Sequence, residues 1–249
     1  MQLLEVALNG HRTPAEHPAI PRTPKDLARE ARASVDAGAD VVHPHAYLDG
    51  EETLEPEPCA AMVRAIRAAC PGVPISQTTA LYIAGDDPER RLALVAGWTE
   101  LPELVTANQG EEGIVELCEH LLTRGVGIEA GLLSLSDAEA YVDSPIAQRC
   151  TRVLIEPLDA DPDEALAHAT AMERVVVEAG ITLEQVHHGD QVASWAVSQR
   201  AAELGHGIRT GLEDTTVLPD GTPAKDNAEL VHYAQRLLGS GRYERAGGA

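Results

Sequence analysis

The sequence has 249 residues, of which 44% are hydrophobic, so one large domain with a sizeable core is expected. Its 40 acidic side chains outnumber the 19 basic ones and give a formal charge of −21, which argues against general binding to nucleic-acid phosphates. The cysteines lack paired spacing, which argues against a zinc ribbon or a disulfide framework. The sequence has neither a leader pattern nor an apolar run long enough to span a membrane, so we expect a cytoplasmic protein that binds no membrane.

Short strand-like runs alternate with segments of helical period along the whole chain. One helix is predicted between Thr23, an N-cap residue followed by proline, and Gly38, where it ends. Eight strand–helix pairs without a linker predict an α/β fold, a single-domain (β/α)8 TIM barrel over residues 1–249, with a flexible tail from about residue 240. The predicted strands are 3–9, 40–47, 73–79, 103–108, 127–133, 152–158, 184–189 and 207–214.

A doubly wound open sheet is the alternative interpretation, and the segment after the first strand argues against it. That segment, "ALNGHRTPAEHPAIPRT", is a long loop punctuated by prolines and contains no glycine-rich phosphate loop. Loops of this kind often cover active sites. Its histidines, His11 and His17, are expected to face solvent.

Two histidines stand near the end of the second predicted strand, in "DVVHPHAY". Because side chains on a strand alternate between its faces, His43 and His45 should point the same way, at the barrel end that carries catalytic groups. One of the two imidazoles could instead be a hydrogen-bonded core residue. The pair at a strand end nevertheless favours a metal site.

A third metal ligand is offered by "GIRTGLED", the eighth predicted strand. By the same alternation, Arg209, Gly211 and Glu213 share a face, and the eighth strand of a barrel adjoins the first. Two imidazoles and one carboxylate are a usual ligand set for catalytic Zn²⁺. The alternative is that Glu213 and Asp214 are acidic capping residues before the next helix.

The seventh predicted strand ends in "VHHGD", where adjacent side chains point to opposite faces, so at most one of His187 and His188 can enter the site. We expect that histidine to contact the substrate or a metal ligand. The only lysines, Lys25 and Lys225, lie at predicted helix starts, which disfavours a Schiff-base aldolase. Carbonyl chemistry at this site would therefore require a metal.

Four segments follow one another along most of the chain: "ALNG" (7–10), "PRTPKDLAREARASVDAGADVVHPHAY" (21–47), "PELVTAN" (102–108) and "GIRTGLED" (207–214). In these segments the chain resembles the β-keto acid cleavage enzymes. The resemblance implies a (β/α)8 barrel with one catalytic Zn²⁺, which condenses a β-keto acid with acetyl-CoA and splits the product into acetoacetate and a new acyl-CoA. We also expect a homo-oligomer, a dimer or a tetramer.

The resemblance also implies roles for individual residues. His43, His45 and Glu213 would bind the metal, and Asp214 would be the general base. Arg209 would support Asp214 together with Thr78, which replaces a serine of the family pattern. The residues expected to bind substrate are Thr106, Asn108, Glu129, Arg12 and Tyr47; the last stands where an arginine is common, and Ala80 and Leu81 replace two glycines of the pattern.

The substrate charge and the use of CoA depend on these departures. Arg12 stands where the family pattern has a glutamate, which predicts a neutral or anionic β-keto acid if the guanidinium faces the pocket. Alternatively, the proline-rich loop is shifted and Arg12 faces solvent. The alternatives to the whole assignment are a metal-dependent hydrolase or barrel lyase that does not use CoA, and a binding protein that has kept the scaffold.

Overall fold

Eight parallel strands form one sheet in the computed structural model, which describes residues 2–246 and, beyond residue 239, the backbone alone. The strands are β1 (Leu4–Ala7), β2 (Val41–His43), β3 (Ser76–Thr78), β4 (Leu104–Asn108), β5 (Gly127–Leu132), β6 (Arg152–Ile155), β7 (Glu184–His187) and β8 (Gly207–Thr210). Their order in the sheet is β2-β1-β8-β7-β6-β5-β4-β3. A parallel bridge between Val42 and Ile75 joins the two outer strands and closes the sheet. This confirms the predicted (β/α)8 barrel.

A helix follows each strand. The helices are α1 (Pro24–Ala37), α2 (Pro56–Ala69), α3 (Pro88–Ala96), α4 (Ile114–Thr123), α5 (Leu135–Val142), α6 (Pro162–Glu178), α7 (Ser194–Leu204) and α8 (Asn227–Ala246). The predicted first helix is confirmed: Thr23 Oγ1 accepts a hydrogen bond from Asp26 N at 3.1 Å, and Gly38 ends the helix in the left-handed conformation. A two-stranded hairpin, Tyr47–Leu48 with Glu51–Glu52, lies between β2 and α2.

No helix within residues 2–246 is long and apolar enough to cross a membrane. The flexible tail expected from about residue 240 lies outside the residues whose side chains are described, and it stays a prediction.

The inside of the barrel is charged, whereas TIM barrels usually fill this space with branched apolar side chains. Glu5, Glu129 and Arg152 are buried there. The Ser76 hydroxyl donates to Glu129, and Arg152 Nη1 lies 3.2 Å from Glu129 Oε1. Burial raises the pKa of Glu5 well above its usual range, and the neighbouring Glu129 carboxylate raises it further. Glu5 Oε1 lies 3.9 Å from His43 Nδ1, so this polar interior extends to the end of β2.

Gly211 makes the turn by which the chain leaves β8 towards Glu213 and Asp214. Its φ is +152°, and a Cβ atom there would lie 2.0 Å from the Ala7 carbonyl oxygen. Because this clash is with main chain, Gly211→Ala is expected to lower the free energy of unfolding by about 3 kcal/mol. The measurement is urea unfolding followed by circular dichroism.

The matched control for this change is Gly180→Ala. Gly180 also has a positive φ, +73°, but its Cβ would meet nothing within 4 Å, so the cost should be about 1 kcal/mol. Equal decreases in the free energy of unfolding in the two variants would contradict the proposed steric role of Gly211.

Candidate functional site

A cavity of about 350 Å³ opens at the C-terminal end of the barrel strands. The predicted ligands His43, His45 and Glu213 line it, and so do Asp214 and Arg209. The predicted contacts Thr78, Thr106 and Asn108 also line it, whereas Arg12, Tyr47 and Glu129 do not.

The three predicted ligands come together on one side of this cavity. Glu213 Oε2 lies 3.7 Å from His43 Nε2 and 3.6 Å from His45 Nε2, and the two Nε2 atoms are 3.1 Å apart. Glu213 Oε2 is buried and has no hydrogen-bond partner among the described residues. Two imidazole nitrogens and an unpartnered carboxylate oxygen that face one point are the donor set of a divalent metal.

Strand alternation does not bring these ligands together, contrary to the sequence argument. β2 ends at His43, and His45 follows Pro44 in a segment outside the strand that Asn9 holds: Asn9 Oδ1 accepts from His45 N, and Asn9 Nδ2 donates to His45 O, both at 3.0 Å. β8 ends at Thr210, three residues before Glu213. The backbone segments after both strands therefore set the geometry.

The surroundings of His43 favour its neutral imidazole form. The imidazole is buried, and burial lowers its pKa well below the usual range, with the Arg209 guanidinium adding to the effect. Its Nδ1 lies 3.2 Å from the Thr106 hydroxyl, so Nε2 is the nitrogen that faces Glu213. A neutral imidazole is the form that binds metals. Thr106, expected from the sequence to contact substrate, contacts the candidate metal ligand His43.

His45 is oriented by Glu52, a residue that the sequence analysis did not single out. His45 Nδ1 is hydrogen-bonded to Glu52 Oε1, and the Tyr82 hydroxyl donates to both Glu52 oxygens, at 3.0 and 2.9 Å. Burial acts to lower the pKa of His45, but the Glu213 and Glu52 carboxylates outweigh it and raise that pKa. A carboxylate behind a ligating histidine fixes the ring and makes it a better donor.

Glu52→Gln is expected to weaken metal binding by about 10- to 100-fold, because the amide orients His45 without the negative charge. The measurement is a competitive titration against a metal-binding dye. Glu51→Gln is the control, since Glu51 is exposed in the same hairpin, and it should bind metal like the unaltered protein. Equal affinities in the two variants would remove Glu52 from the metal site.

Asp214 and Arg209 form a bidentate ion pair beside the candidate metal ligands. Arg209 Nη2 donates to Asp214 Oδ1 at 2.7 Å and Nε donates to Oδ2 at 3.3 Å. Arg209 Nη2 also lies 3.3 Å from Glu213 Oε1, so one guanidinium contacts both carboxylates. His188 Nδ1 is 3.5 Å from Asp214 Oδ1, which makes His188 the histidine of "VHHGD" that enters the site.

The first loop differs from its prediction. Arg12 is buried outside the cavity, where Nε donates to the Glu213 carbonyl oxygen at 2.8 Å and Nη2 lies 3.5 Å from Asp190, so the structure does not support the expected substrate contact. His11 lines the cavity in its place. His17, expected to face solvent, is buried with Nε2 2.8 Å from the Ala224 carbonyl oxygen.

Tyr47 and Glu129 also lie outside the cavity. The Tyr47 hydroxyl donates to the Gly10 carbonyl oxygen, and the Arg22 guanidinium lies over its ring at 3.9 Å from the centroid. Tyr47 therefore holds the first loop against the site, while Glu129 belongs to the charged barrel interior described above. The structure does not support the expected substrate contact for either residue.

A second group of possible donors, Glu173, His187 and His206, lies outside the barrel. The two imidazole rings stack with centroids 4.7 Å apart and planes 13° apart, so their in-plane lone pairs do not converge on one point. Glu173 binds Arg200 at 2.5 Å and His206 at 2.9 Å. The group is therefore a hydrogen-bonded network, and the candidate metal site is the one in the cavity.

Comparison with known proteins places this geometry in context. The model of the beta-keto acid cleavage enzyme family matches residues 2–122 and 154–246. The 3-keto-5-aminohexanoate cleavage enzyme of Fusobacterium nucleatum subsp. nucleatum is 29% identical over 259 residues, which cover 94% of this chain and 90% of that protein. The 3-oxoadipate:acetyl-CoA acetyltransferase of Cupriavidus necator is 25% identical over 246 residues, which cover 89% of this chain and 82% of that protein.

A solved structure supports the fold alone. The ternary complex of ObcA with a C4-CoA adduct and oxalate superposes with a TM-score of 0.70 at 18% identity and covers 90% of this chain. The chain spans 65% of the length of that protein.

Proposed function

Because the chain belongs to the beta-keto acid cleavage enzyme family, we propose that it cleaves a β-keto acid with acetyl-CoA and releases acetoacetate and a new acyl-CoA. The exchange balances: the carbon between the keto and carboxylate groups of the acid leaves its own keto carbon and bonds the acetyl carbon. The CoA thiol leaves the acetyl group and takes up the released acyl group. The observation that carries the proposal is a base, Asp214, next to three convergent metal ligands in one cavity.

We propose Zn²⁺, one per chain, as the metal held by His43, His45 and Glu213. The buried, unpartnered Glu213 Oε2 and the buried His43 imidazole, whose lowered pKa favours the neutral form, fit such an ion. When bound, the metal supplies a Lewis acid that polarises a carbonyl group of the substrate.

The residues around the metal ligands supply the proton chemistry. The Asp214 carboxylate takes the proton from the carbon between the keto and carboxylate groups, and it returns a proton when acetoacetate is formed. Arg209 holds both Asp214 oxygens and fixes the direction of that transfer. Thr78 contributes a hydroxyl to the same cavity and is proposed to position the substrate.

A second candidate is a metal-dependent barrel lyase that works without CoA. The charge of the cavity favours this candidate. Its lining holds four carboxylates, those of Glu156, Asp190, Glu213 and Asp214, and only one guanidinium, that of Arg209, which is already paired with Asp214. The lining therefore offers the phosphate groups of CoA no further guanidinium or ammonium group.

A product screen separates the two candidates. Purified protein is incubated with a panel of β-keto acids, with and without acetyl-CoA, and mass spectrometry follows acetoacetate and acyl-CoA. We expect both products to form together and to require acetyl-CoA; cleavage without it would favour the second candidate, and no cleavage would contradict both. The homo-oligomer, dimer or tetramer, and the cytoplasmic location stay predictions.

A further inference from the structure

Glu156, the residue after β6, has an oxygen that nothing in the proposed chemistry uses. Its side chain lines the cavity and is 9% exposed. Oε2 lies 3.0 Å from His188 Nε2, but Oε1 is buried and has no hydrogen-bond partner in the part of the chain that the structure describes. A buried carboxylate oxygen without a donor is unfavourable, so a donor from outside the chain is expected there.

Gly131 on β5 leaves the space into which this oxygen turns. A Cβ atom at Gly131 would lie 2.5 Å from Glu156 Oε1 and 2.7 Å from Asn108 Oδ1. Asn108 Nδ2 donates to Glu111 Oε1 at 3.0 Å, which directs its oxygen to the same space. Two oxygens that can only accept hydrogen bonds thus converge where β5 has no side chain.

The surroundings strengthen the preference for a donor. Leu133, Pro157 and Leu158 line the same cavity, and Glu156 itself is buried, where a hydrogen bond is stronger than in water. The cation expected from the sequence, Arg12, lies outside the cavity and pairs with Asp190, which leaves Glu156 without a guanidinium from the first loop.

We propose that Glu156 and Asn108 form a subsite for a hydrogen-bond donor on the substrate, a protonated amine or a hydroxyl carried on the chain beyond the keto group. The inference rests on the proposed function, and it replaces the neutral or anionic acid expected from Arg12. A second carboxylate on the substrate would meet Glu156 and be disfavoured.

The test uses β-keto acids of equal chain length that carry an amine, a hydroxyl, a hydrogen or a carboxylate at the chain end. We expect kcat/KM to be at least about tenfold higher for the amine or the hydroxyl acid than for the other two. Glu156→Gln should remove most of an amine preference, and Gly131→Ala should remove either preference by filling the space. Comparison of kcat/KM for the amine acid with kcat/KM for the hydroxyl acid identifies the preferred donor.

Asp159→Asn is the matched control, since it removes one charge from the same loop where Asp159 pairs with His168 at 2.7 Å. It should leave the preference unchanged. Binding of the corresponding 3-hydroxy acids, measured by calorimetry without acetyl-CoA, tests the subsite even if turnover fails. A preference for the unsubstituted or the carboxylate acid, or one that survives both Glu156→Gln and Gly131→Ala, would overturn the proposal.

Discussion

Replacing His43 or His45 by alanine is expected to remove the bound metal and to lower turnover by about 10³-fold or more, the equivalent of several kcal/mol of transition-state stabilisation. Each variant leaves one imidazole and Glu213, which is too few protein ligands for tight binding of a catalytic metal. The measurement is elemental analysis of the purified protein, with one equivalent of zinc per chain expected before the change.

The barrel should still fold in both variants, because the two imidazoles lie at and beyond the end of β2, outside the hydrophobic core. Circular dichroism checks this. His168→Ala is the control, since His168 lies on α6 with a largely exposed side chain, and it should keep both metal and turnover. Full metal content in the double variant of His43 and His45, or none in the unaltered protein, would refute the site.

Asp214→Asn is expected to lower turnover by about 10²-fold or more while the metal stays bound. The amide keeps the volume and one acceptor oxygen for Arg209, but it cannot take a proton. Glu213 remains to bind the metal, so elemental analysis should give the same zinc content as before. Turnover and metal content are measured on the same preparation.

Asp220→Asn is the control for this change, because Asp220 lies on the same connection between β8 and α8 with an exposed side chain. It should not alter turnover. Normal turnover in Asp214→Asn would reassign Asp214 to fixing Arg209, and loss of zinc there would show that the two carboxylates do not divide their tasks as proposed.

The parts of this molecule that could be predicted from sequence depend on local physics. The start of α1 follows from Thr23 and Pro24, and the barrel follows from the alternation of strands and helices. His43, His45 and Glu213 were placed together because the C-terminal ends of barrel strands meet at one face, although the segments after Pro44 and Thr210 make the final approach.

The parts that could not be predicted depend on contacts between loops. The first loop turns Arg12 away from the cavity because the Glu213 carbonyl and Asp190 bind its guanidinium, and no periodicity in the sequence encodes that contact. Glu52 lies among many acidic residues, and only the hairpin brings it to His45. Glu156 lies within the predicted strand 152–158, but the position of its unpartnered oxygen depends on Gly131 on the neighbouring strand.

The charged barrel interior limits how this protein can be made more heat-resistant. Apolar substitutes for buried charges often raise stability, so Glu5 and Glu129 are the obvious positions to change. Yet Glu5 Oε1 lies 3.9 Å from His43 Nδ1. The charge of the Arg209 guanidinium acts to lower the pKa of Glu5, and the same guanidinium donates a hydrogen bond to Asp214. Engineering for thermal tolerance should therefore begin at the outer helices, where substitutions leave Glu5, Glu129 and Arg209 in place.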